Sequence, residues 1–294
     1  MKIILATPQG FCFGVEHALL KLSQTLEKFS PPVYVLNPIV HNEFVVGDFE
    51  KRGAIFIEDI DEYKPTPAPL VISAHGVGSA TLQTLQKRGI PILNLTCPLV
   101  TLIHNEIKHN AAAGLQTIVI GSAPDHSEIK GILGQVPKTA ALFIKTIDQA
   151  QHITPQDPEK LAYVTQTTLS LDATRPIIDI LKKRFPKIKN RRESNICRAT
   201  QERQTAVKEL LTRGNIDVTL IVGSKMSSNV KKLYETAAAQ NKCPAYAIES
   251  AQDIDRTWFP ANATIGITSG ASTPKHLVND IMAFLNTLHK ENAS

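Results

Sequence analysis

The chain has 294 residues, of which 43% are hydrophobic, and its formal net charge at pH 7 is +5. This length normally accommodates two or three domains, and the mild basic excess suits an anionic small ligand but is too diffuse to indicate nucleic-acid binding. No segment approaches the ~20 apolar residues of a membrane-spanning helix, and the apolar run at residues 3–6 is too short for a signal peptide. We therefore predict a cytoplasmic protein that binds neither membranes nor nucleic acids.

Short apolar runs alternate with amphipathic segments along the chain. Strands are predicted at residues 3–6, 33–36, 55–57, 70–73, 92–95, 117–120, 142–144, 161–165, 218–222, 245–248 and 264–268. Helices are predicted at residues 14–29, 42–52, 79–88, 171–185, 199–213, 228–239 and 274–287, and in the amphipathic segment after Cys97. Because helices separate strands that are mostly apolar, the pattern predicts an α/β fold with mostly parallel sheets covered on both faces.

The same arrangement of a strand, a cysteine and a helix occurs three times. The three cysteines are Cys12, Cys97 and Cys197. The separation from Cys12 to His41 equals that from Cys97 to His126, 29 residues, and Ser227 follows the third cysteine by 30 residues. A fixed period of this kind predicts three similar α/β domains around a pseudo-threefold axis, with the cysteines at a common centre.

The repeats also predict the domain boundaries. The first two domains are expected at residues 13–96 and 97–193, and each closes with the strand that leads into the next cysteine. The third repeat, residues 194–294, ends on a helix, so its missing strand is expected to come from residues 2–6. We therefore predict a discontinuous third domain made of residues 194–294 and 1–12.

The cysteines indicate a metal or redox site. No two of them form a C-x-x-C pair, which in a chain of this size favours a reducing compartment and functional thiols over disulfides. Pro98 suits the first position of a helix, so the Cys97 thiolate would lie near a helix N-terminus. Three isolated thiolates suit an iron–sulfur cluster better than zinc, whose ligands usually come in closely spaced pairs. A fourth iron without a protein ligand would offer substrate an open Lewis-acid position. Cys243 lies outside the repeat and is expected to be structural.

Polar residues follow the ends of the predicted strands, where parallel α/β sheets bind ligands. The candidates are His41, His75, His126, Ser227, Ser228, Asn229 and Ser272. Imidazoles, hydroxyls and backbone N–H groups form an anion cradle suitable for phosphate or diphosphate, and no glycine-rich nucleotide-binding motif accompanies them. Glu128 is the nearby carboxylate that could supply the proton of a reduction, and the hydroxyls of Thr167 and Thr168 could relay it.

Ten short motifs between residues 10 and 272 resemble those of one family. They are Gly10-Phe-Cys12-x-Gly-Val15, Val40-His-Asn42, Arg52-Gly-Ala-Ile-Phe-Ile57, Ser73-Ala-His-Gly-Val77, Thr96-Cys-Pro-Leu-Val-Thr101, His126-x-Glu128, Thr165-Gln-Thr-Thr-Leu-Ser170, Ile196-Cys-x-Ala-Thr200, Val222-Gly-Ser-Lys-x-Ser-Ser-Asn229 and Gly270-Ala-Ser272. With these motifs in order over nearly the whole chain, the sequence resembles the LytB family of 4-hydroxy-3-methylbut-2-enyl diphosphate reductases.

The resemblance implies a site and a reaction. It implies one [4Fe–4S] cluster per chain on the three repeat cysteines, with an open apical iron that meets the allylic hydroxyl of the substrate. It implies that Glu128, Thr167 and His126 are catalytic. It implies that the substrate is bound by His41, His75, His126, Thr167, Thr168, Ser227, Ser228, Asn229 and Ser272. The implied reaction is a reductive dehydroxylation that gives isopentenyl and dimethylallyl diphosphate, the last step of the methylerythritol phosphate route.

A basic run gives a candidate docking surface for a partner. Its residues are Lys182, Lys183, Arg184, Lys187, Lys189, Arg191 and Arg192. Charge runs are usually solvated surface, but the resemblance implies an acidic electron donor of the ferredoxin or flavodoxin type that could dock there. From the residues alone, a non-enzymatic module that senses a phosphorylated metabolite is the main alternative. An RNA-binding protein is less favoured because only 5% of the residues are aromatic.

Three positions depart from the family pattern. Phe13 replaces the usual small residue after the first cysteine, and Ser127 replaces the proline of a His-Pro-Glu motif. Glu202 stands where asparagine is expected in the helix after the third cysteine, and an inward-facing carboxylate there would lower the potential of a cluster. These departures bear on fine tuning and leave the resemblance intact.

Overall fold

The structure, a computed structural model, describes residues 1–192 and 194–291. Within these residues the strands are β1 Lys2–Leu5, β2 Val33–Leu36, β3 Ala54–Ile57, β4 Leu70–Ile72, β5 Ile92–Asn94, β6 Gln116–Ile120, β7 Ala141–Ile144, β8 Leu161–Thr165, β9 Val218–Val222, β10 Ala245–Ile248 and β11 Thr264–Ser269. The helices are α1 Phe13–Lys28, α2 Glu43–Lys51, α3 Ser79–Lys87, α4 Pro98–Ala112, α5 Ser127–Leu133, α6 Ile147–His152, α7 Leu171–Arg184, α8 Arg198–Arg213, α9 Ser228–Ala239 and α10 Lys275–Glu291. The predicted strands are all present, and their ends differ from the predicted ones by one residue at most.

The strands form three separate sheets. Their strand orders are β3-β2-β4-β5, β7-β6-β8 and β1-β11-β9-β10. Every paired strand in these sheets runs parallel to its neighbour. The α/β fold with three parallel sheets is therefore confirmed.

The N-terminal strand joins the last sheet, as the repeat pattern predicts. Lys2 pairs with Thr264 and Leu5 with Ile267, so β1 is the edge strand next to β11. By internal contacts the chain divides into two compact units, which are called the first unit (residues 1–13, 41–45 and 198–294) and the second unit (residues 14–40 and 46–197). The three-domain boundaries and the pseudo-threefold axis stay predictions.

Each unit has its own hydrophobic core. In the first unit, one side of the β1-β11-β9-β10 sheet packs on α10 around Ile281 and Leu285, and the other packs on α8 and α9 around Val207 and Leu233. In the second unit, the β7-β6-β8 sheet is covered on one side by α7 and on the other by α4 and α5. Helices on both faces explain why the strands are apolar throughout, since neither side meets water.

Two features bear on the sequence-based expectations. Helix α6 is not predicted from the sequence because it has fewer than two turns, yet a reciprocal capping box between Thr146 and Gln149 defines its start. Among the helices of the described residues, none is both long and apolar enough to cross a lipid bilayer.

Candidate functional site

Cys97 lies at the N-cap of α4, with Pro98 at the first helical position. Its backbone N–H donates to the carbonyl of Ala74, 3.0 Å away, which fixes the turn against the end of β4. Its thiol packs against Gly14, because a Cβ added to that glycine would lie 2.7 Å from Cys97 Sγ. The sequence thus places a thiol at a helix N-terminus and leaves space beside it by keeping a glycine in α1, in the same unit.

Cys197 ends a segment that runs beside strand β8 in the second unit. Its N–H donates to the carbonyl of Thr167 (3.0 Å), and Ile196 is buried in the core under α7. Two residues earlier, the Asn195 side chain and backbone both bond Thr165. Three consecutive residues are therefore anchored, and the third predicted thiol sits immediately before α8.

Cys12 belongs to the first unit and follows β1. Its N–H donates to the carbonyl of Ala271 (3.0 Å), in the loop after β11. The guanidinium of Arg203, which is 2% exposed, donates to the carbonyl of Gly10 at 2.7 Å and so fixes the same turn from α8. Phe13, one of the departures, is 74% exposed and begins α1. Arg203 is a supporting residue that the sequence analysis did not single out.

The four cysteines form no disulfides, and each is partly exposed. Across residues 1–192 and 194–291, no group of three or more His, Cys, Asp or Glu side chains is arranged so that it could hold a metal ion. The cluster ligands Cys12, Cys97 and Cys197 therefore stay a prediction. Cys243 lies 3.3 Å from the Thr219 hydroxyl and packs beside the apolar core under α9.

Glu128 is buried in the second unit, and both oxygens of its carboxyl group contact Thr167. The side chain is 2% exposed, although it lies in the first turn of α5. Its Oε1 accepts the N–H of Thr167 at 2.8 Å, and its Oε2 lies 2.9 Å from the Thr167 hydroxyl. Burial raises the pKa of the Glu128 carboxyl, and hydrogen bonds from Thr167 and Gln166 oppose the rise only partly.

His126, His75 and Gln166 surround this acid. His126 is the N-cap of α5, and its Nδ1 accepts the N–H of Glu128 at 3.2 Å. The rings of His75 and His126 meet edge to face with centroids 6.0 Å apart. Gln166 is fully buried, places its amide nitrogen 3.4 Å from the His126 ring nitrogens, and accepts the N–H of Ser122. The structure therefore brings Glu128, Thr167, His126 and His75 together, as the sequence predicts.

Gln166 was not among the predicted site residues. Its signal in the sequence is its place in the run Thr165-Gln-Thr167, because a polar residue at the end of a buried parallel strand has its side chain at the ligand-binding edge.

The first unit gathers several of the other predicted polar residues around its loops. Asn229 Oδ1 accepts the N–H of Ala271 at 2.9 Å, and its amide nitrogen lies 3.4 Å from the Thr200 hydroxyl. The buried Asn42 donates to the carbonyl of Ser272 at 2.9 Å. Asn229 thus fixes the loop that also receives Cys12, and Ser272 lies in that loop. Asn42 is a second supporting residue that the sequence analysis did not assign.

Ser227, Ser228 and His41 complete the polar set of the first unit. Ser227 is the N-cap of α9 and its hydroxyl oxygen accepts from Val230, while Ser228 is the first residue of that helix. Burial lowers the pKa of His41, so its imidazole is neutral over more of the physiological range than an exposed histidine. In the second unit, Thr168 follows Thr167 directly, and its hydroxyl oxygen is buried.

The other two departures from the family pattern are also located. Ser127 is the first residue of α5. Glu202 lies on the exposed side of α8 and forms an ion pair with Arg198 at 2.6 Å. Glu202 is paired and 43% exposed, so its charge is largely compensated by Arg198 and screened by solvent. It is therefore not the inward-facing carboxylate that would lower the potential of a cluster.

Known proteins resemble this chain along nearly its whole length. A curated relative from Neisseria gonorrhoeae, named 4-hydroxy-3-methylbut-2-enyl diphosphate reductase, is 44% identical over 281 residues, which cover 96% of this chain and 86% of the relative. A relative of the same name from Acinetobacter baylyi is 42% identical over 285 residues, covering 96% and 89%.

A solved structure shares both fold and sequence with the chain. It is the E-1-hydroxy-2-methyl-but-2-enyl-4-diphosphate reductase from Plasmodium falciparum, with a TM-score of 0.89 and 35% identity over 98% of this chain and 87% of that one. The family model described as LytB protein matches residues 3–286. On these grounds, the chain belongs to the LytB protein family.

Proposed function

We propose that this chain is an iron–sulfur oxidoreductase that removes the hydroxyl group of (E)-4-hydroxy-3-methylbut-2-enyl diphosphate. The reaction takes up two electrons and two protons, breaks the allylic C–O bond, and releases water with isopentenyl or dimethylallyl diphosphate. This is the last step of the methylerythritol phosphate route. Relatives that carry the name of this reductase support the proposal. The observation that carries it is the buried acid Glu128, which Thr167 links to the segment of Cys197.

The proposed cofactor is a [4Fe–4S] cluster held by Cys12, Cys97 and Cys197. The donor set fits, because three cysteines outside disulfides each come directly before a helix and thiolate is the usual ligand of such clusters. Gly14 supports the fit, since it leaves room beside Cys97 Sγ. When bound, the cluster supplies electrons and, at an iron without a protein ligand, a Lewis-acid position for the substrate hydroxyl.

Glu128 is the proposed proton source, and its hydrogen bonds define which oxygen carries the proton. The backbone N–H of Thr167 can only donate, so Glu128 Oε1 must accept from it. The proton of the neutral acid is therefore on Oε2, which faces the Thr167 hydroxyl at 2.9 Å. When Glu128 is ionised, that hydroxyl donates to Oε2; when Glu128 is protonated, it accepts from the acid and donates its own proton onward to the substrate. His126 keeps the acid in place by accepting the N–H of Glu128.

The substrate is the proposed ligand of nine polar side chains. They are His41, His75, His126, Thr167, Thr168, Ser227, Ser228, Asn229 and Ser272. The hydroxyl oxygens of Thr168 and Ser272 are buried and have no hydrogen-bond partner among the described residues. A buried hydroxyl normally has a hydrogen-bond partner, so each of these two O–H groups is available to donate to a bound anion. The set contains no carboxylate, which suits a doubly charged phosphate ester.

The proposed electron donor is an acidic protein of the ferredoxin or flavodoxin type that docks on the basic run. Lys189 bonds the backbone of Leu161 and Tyr163 on β8, while Cys197 bonds Thr167 just beyond the end of the same strand. The two points are about four residues apart along the strand, or roughly 13 Å. The basic run therefore lies on the same edge as the third thiol. The proposed location is the cytoplasm, where thiols stay reduced.

The first experiment is anaerobic purification followed by an absorption spectrum with iron and sulfide counts. The proposal expects a brown protein with about four irons per chain. It also expects substrate-dependent oxidation of a reduced dye, with both isoprenoid diphosphates as products. A colourless protein that anaerobic iron and sulfide cannot reconstitute would refute the proposal in favour of a metabolite sensor.

A substitution of the acid tests its role within the reaction. Glu128→Gln keeps an acceptor for the Thr167 N–H but has no proton to give. We expect an unchanged iron content and retained substrate binding, with turnover reduced by about 100-fold or more. A near wild-type kcat would show that the proton comes from elsewhere.

A further inference from the structure

A buried carboxylate that the proposed reaction does not use lies on helix α4 of the second unit. Glu106 is 6% exposed, and its Oε2 accepts a hydrogen bond from the side-chain amide of Asn195 at 3.1 Å. Taking a carboxylate out of water is costly unless donors compensate it. The donor that compensates Glu106 is Asn195, which lies two positions before Cys197.

Asn195 links the segment before Cys197 to strand β8 and to helix α4. Its Oδ1 accepts the N–H of Thr165 at 2.9 Å, and its own N–H donates to Thr165 Oγ1 at 2.8 Å. Its amide nitrogen then reaches α4 through Glu106. An asparagine can accept and donate at once, whereas aspartate would set an oxygen against the Glu106 carboxylate.

Helix α4 therefore helps to position two of the three thiols, those of Cys97 and Cys197. Cys97 is its N-cap, and Glu106 lies near the middle of the helix. A helix is a rigid element, so the bond from Glu106 to Asn195 fixes the chain leading into Cys197 relative to the helix that starts at Cys97. Without that bond, the segment would keep its contacts with Thr165 and Thr167 but lose this link to α4.

We propose that Glu106 and Asn195 are positioning residues that hold the Cys197 thiol at the distance from Cys97 that a shared cluster requires. The assignment of Cys197 as a ligand rests on the proposed function, but the positioning itself is a property of the chain. Neither residue touches substrate in this account. They act through the backbone of residues 195–197.

The test exchanges donor and acceptor across the contact. Asn195→Asp places two carboxylates against each other, and Glu106→Gln places two amides there. The double variant Glu106→Gln with Asn195→Asp restores one donor and one acceptor and keeps the net charge of the pair. Gln116→Glu is the matched control, because Gln116 is a buried amide of the same unit whose bonds go to Thr139 and Gln156, away from the cysteines.

The readout is the alkylation rate of each cysteine in the full-length chain after the metal has been removed, followed by peptide mass spectrometry. We expect Asn195→Asp to raise the rate at Cys197 about tenfold, to leave Cys12 and Cys97 within about twofold, and the double variant to recover the wild-type rate. In the anaerobically reconstituted protein, the single variant should also lose iron to a chelator faster, with the same recovery.

Three results would overturn the inference. The first is an equal rise in alkylation rate at all three cysteines, which is the pattern that a general loss of stability would also produce in the control Gln116→Glu. The second is no rise at Cys197. The third is no recovery of the wild-type rate in the double variant. A wild-type protein that binds no iron would instead refute the proposed function, and the alkylation rates would still decide whether Glu106 and Asn195 position Cys197.

Discussion

Thr167 hydrogen-bonds both oxygens of the Glu128 carboxyl group, at 2.8 Å through its N–H and 2.9 Å through its hydroxyl. The same residue accepts the N–H of Cys197 through its carbonyl. The acid is therefore positioned by the chain at the end of β8, in addition to its own helix. Because the backbone part of this link does not depend on the side chain, the hydroxyl can be removed separately.

Replacement of Thr167 separates the hydroxyl from the backbone contact. Thr167→Val keeps the N–H bond to Glu128 but removes the proton path, so we expect kcat to fall by about 10- to 100-fold with unchanged iron content. Thr167→Ser keeps the hydroxyl and should retain most activity. Steady-state kinetics on the two variants checks this, and equal activity of the valine and serine variants would contradict it.

Burial of Glu128 makes the stability of the fold depend on pH. Its pKa is raised in the folded chain above the ordinary value of 4.5. The favourable contribution of the protonated acid is therefore complete below that value and is lost as the pH rises through the folded pKa. Glu128→Gln removes this loss. We expect the Tm of the metal-free variant, relative to wild type, to be higher at pH 8 than at pH 5, and an equal difference at both pH values would contradict this.

Gly14 and Gly47 make a matched pair for testing the space beside the second thiol. Both lie in helices, but a Cβ at position 14 would lie 2.7 Å from Cys97 Sγ, whereas one at position 47 meets nothing within 4 Å. Alanine favours a helix over glycine by about 1 kcal/mol. We expect Gly47→Ala to be neutral or stabilising with normal iron content, and Gly14→Ala to fold but to take up less iron on anaerobic reconstitution. Equal iron content in the two variants would exclude the steric argument.

His104 is expected to make the protein sensitive to acid. It is buried on α4, and desolvation, with a smaller contribution from Lys108, lowers its pKa from 6.5 to about 4. The unfolded chain therefore binds a proton that the folded chain excludes, and stability falls as the pH drops from about 6.5 towards 4. At pH 5 the loss is about 2 kcal/mol. His104→Gln should remove most of it.

Urea unfolding of wild type and His104→Gln at pH 7.5 and pH 5 measures this effect. The variant should lose less free energy of unfolding between the two pH values than wild type does. An equal loss in both would show that other groups cause the acid sensitivity. Parallel m-values are the control that the two proteins unfold in the same way.

The basic run can be tested with a charge-matched control in the same unit. Lys182 and Lys183 are exposed in the last turn of α7, at the start of the basic run, whereas Lys138 and Lys145 are exposed on either side of β7, outside that run. Reversal of Lys182 and Lys183 to glutamate should raise the KM for an acidic donor several-fold at low salt and leave the KM for substrate unchanged. The same change at Lys138 and Lys145 should alter neither, and an effect of equal size from both pairs would indicate a net-charge effect only.

The strands and most helices were predictable because the central strands are buried on both faces and most strands read as short apolar runs. The anchored turns of Cys12 and Cys97 were predictable for a related reason, since each follows a strand and precedes a helix. The strand expected before Cys197 was wrong, because among the described residues helix α7 comes before it and only an isolated bridge at Lys189 joins the intervening segment to β8. The strand exchange at β1 followed from the incomplete third repeat. These features depend on the local sequence and on the spacing of the repeats, and both can be read from one amino-acid sequence.

Other parts of the site depend on which elements become neighbours. Gln166, Asn195 and Glu106 are polar residues whose partners lie on other elements, so their burial is not visible in their local sequence. The contact between Gly14 and Cys97 joins two helices from different repeats. The outward orientation of Glu202 likewise depends on the rotation of α8, which the sequence pattern leaves open.

The pairing of β1 with β11 sets the order of events during synthesis. Lys2 is synthesised 262 residues (264 − 2) before its sheet partner Thr264. At 5–20 residues per second, this leaves β1 without its partner for roughly ten to sixty seconds. The N–H of Cys12 likewise finds its acceptor only when Ala271 has emerged. The turn of Cys12 is therefore fixed only after residue 271 has been made, and we expect a cluster that needs Cys12 to form after that step.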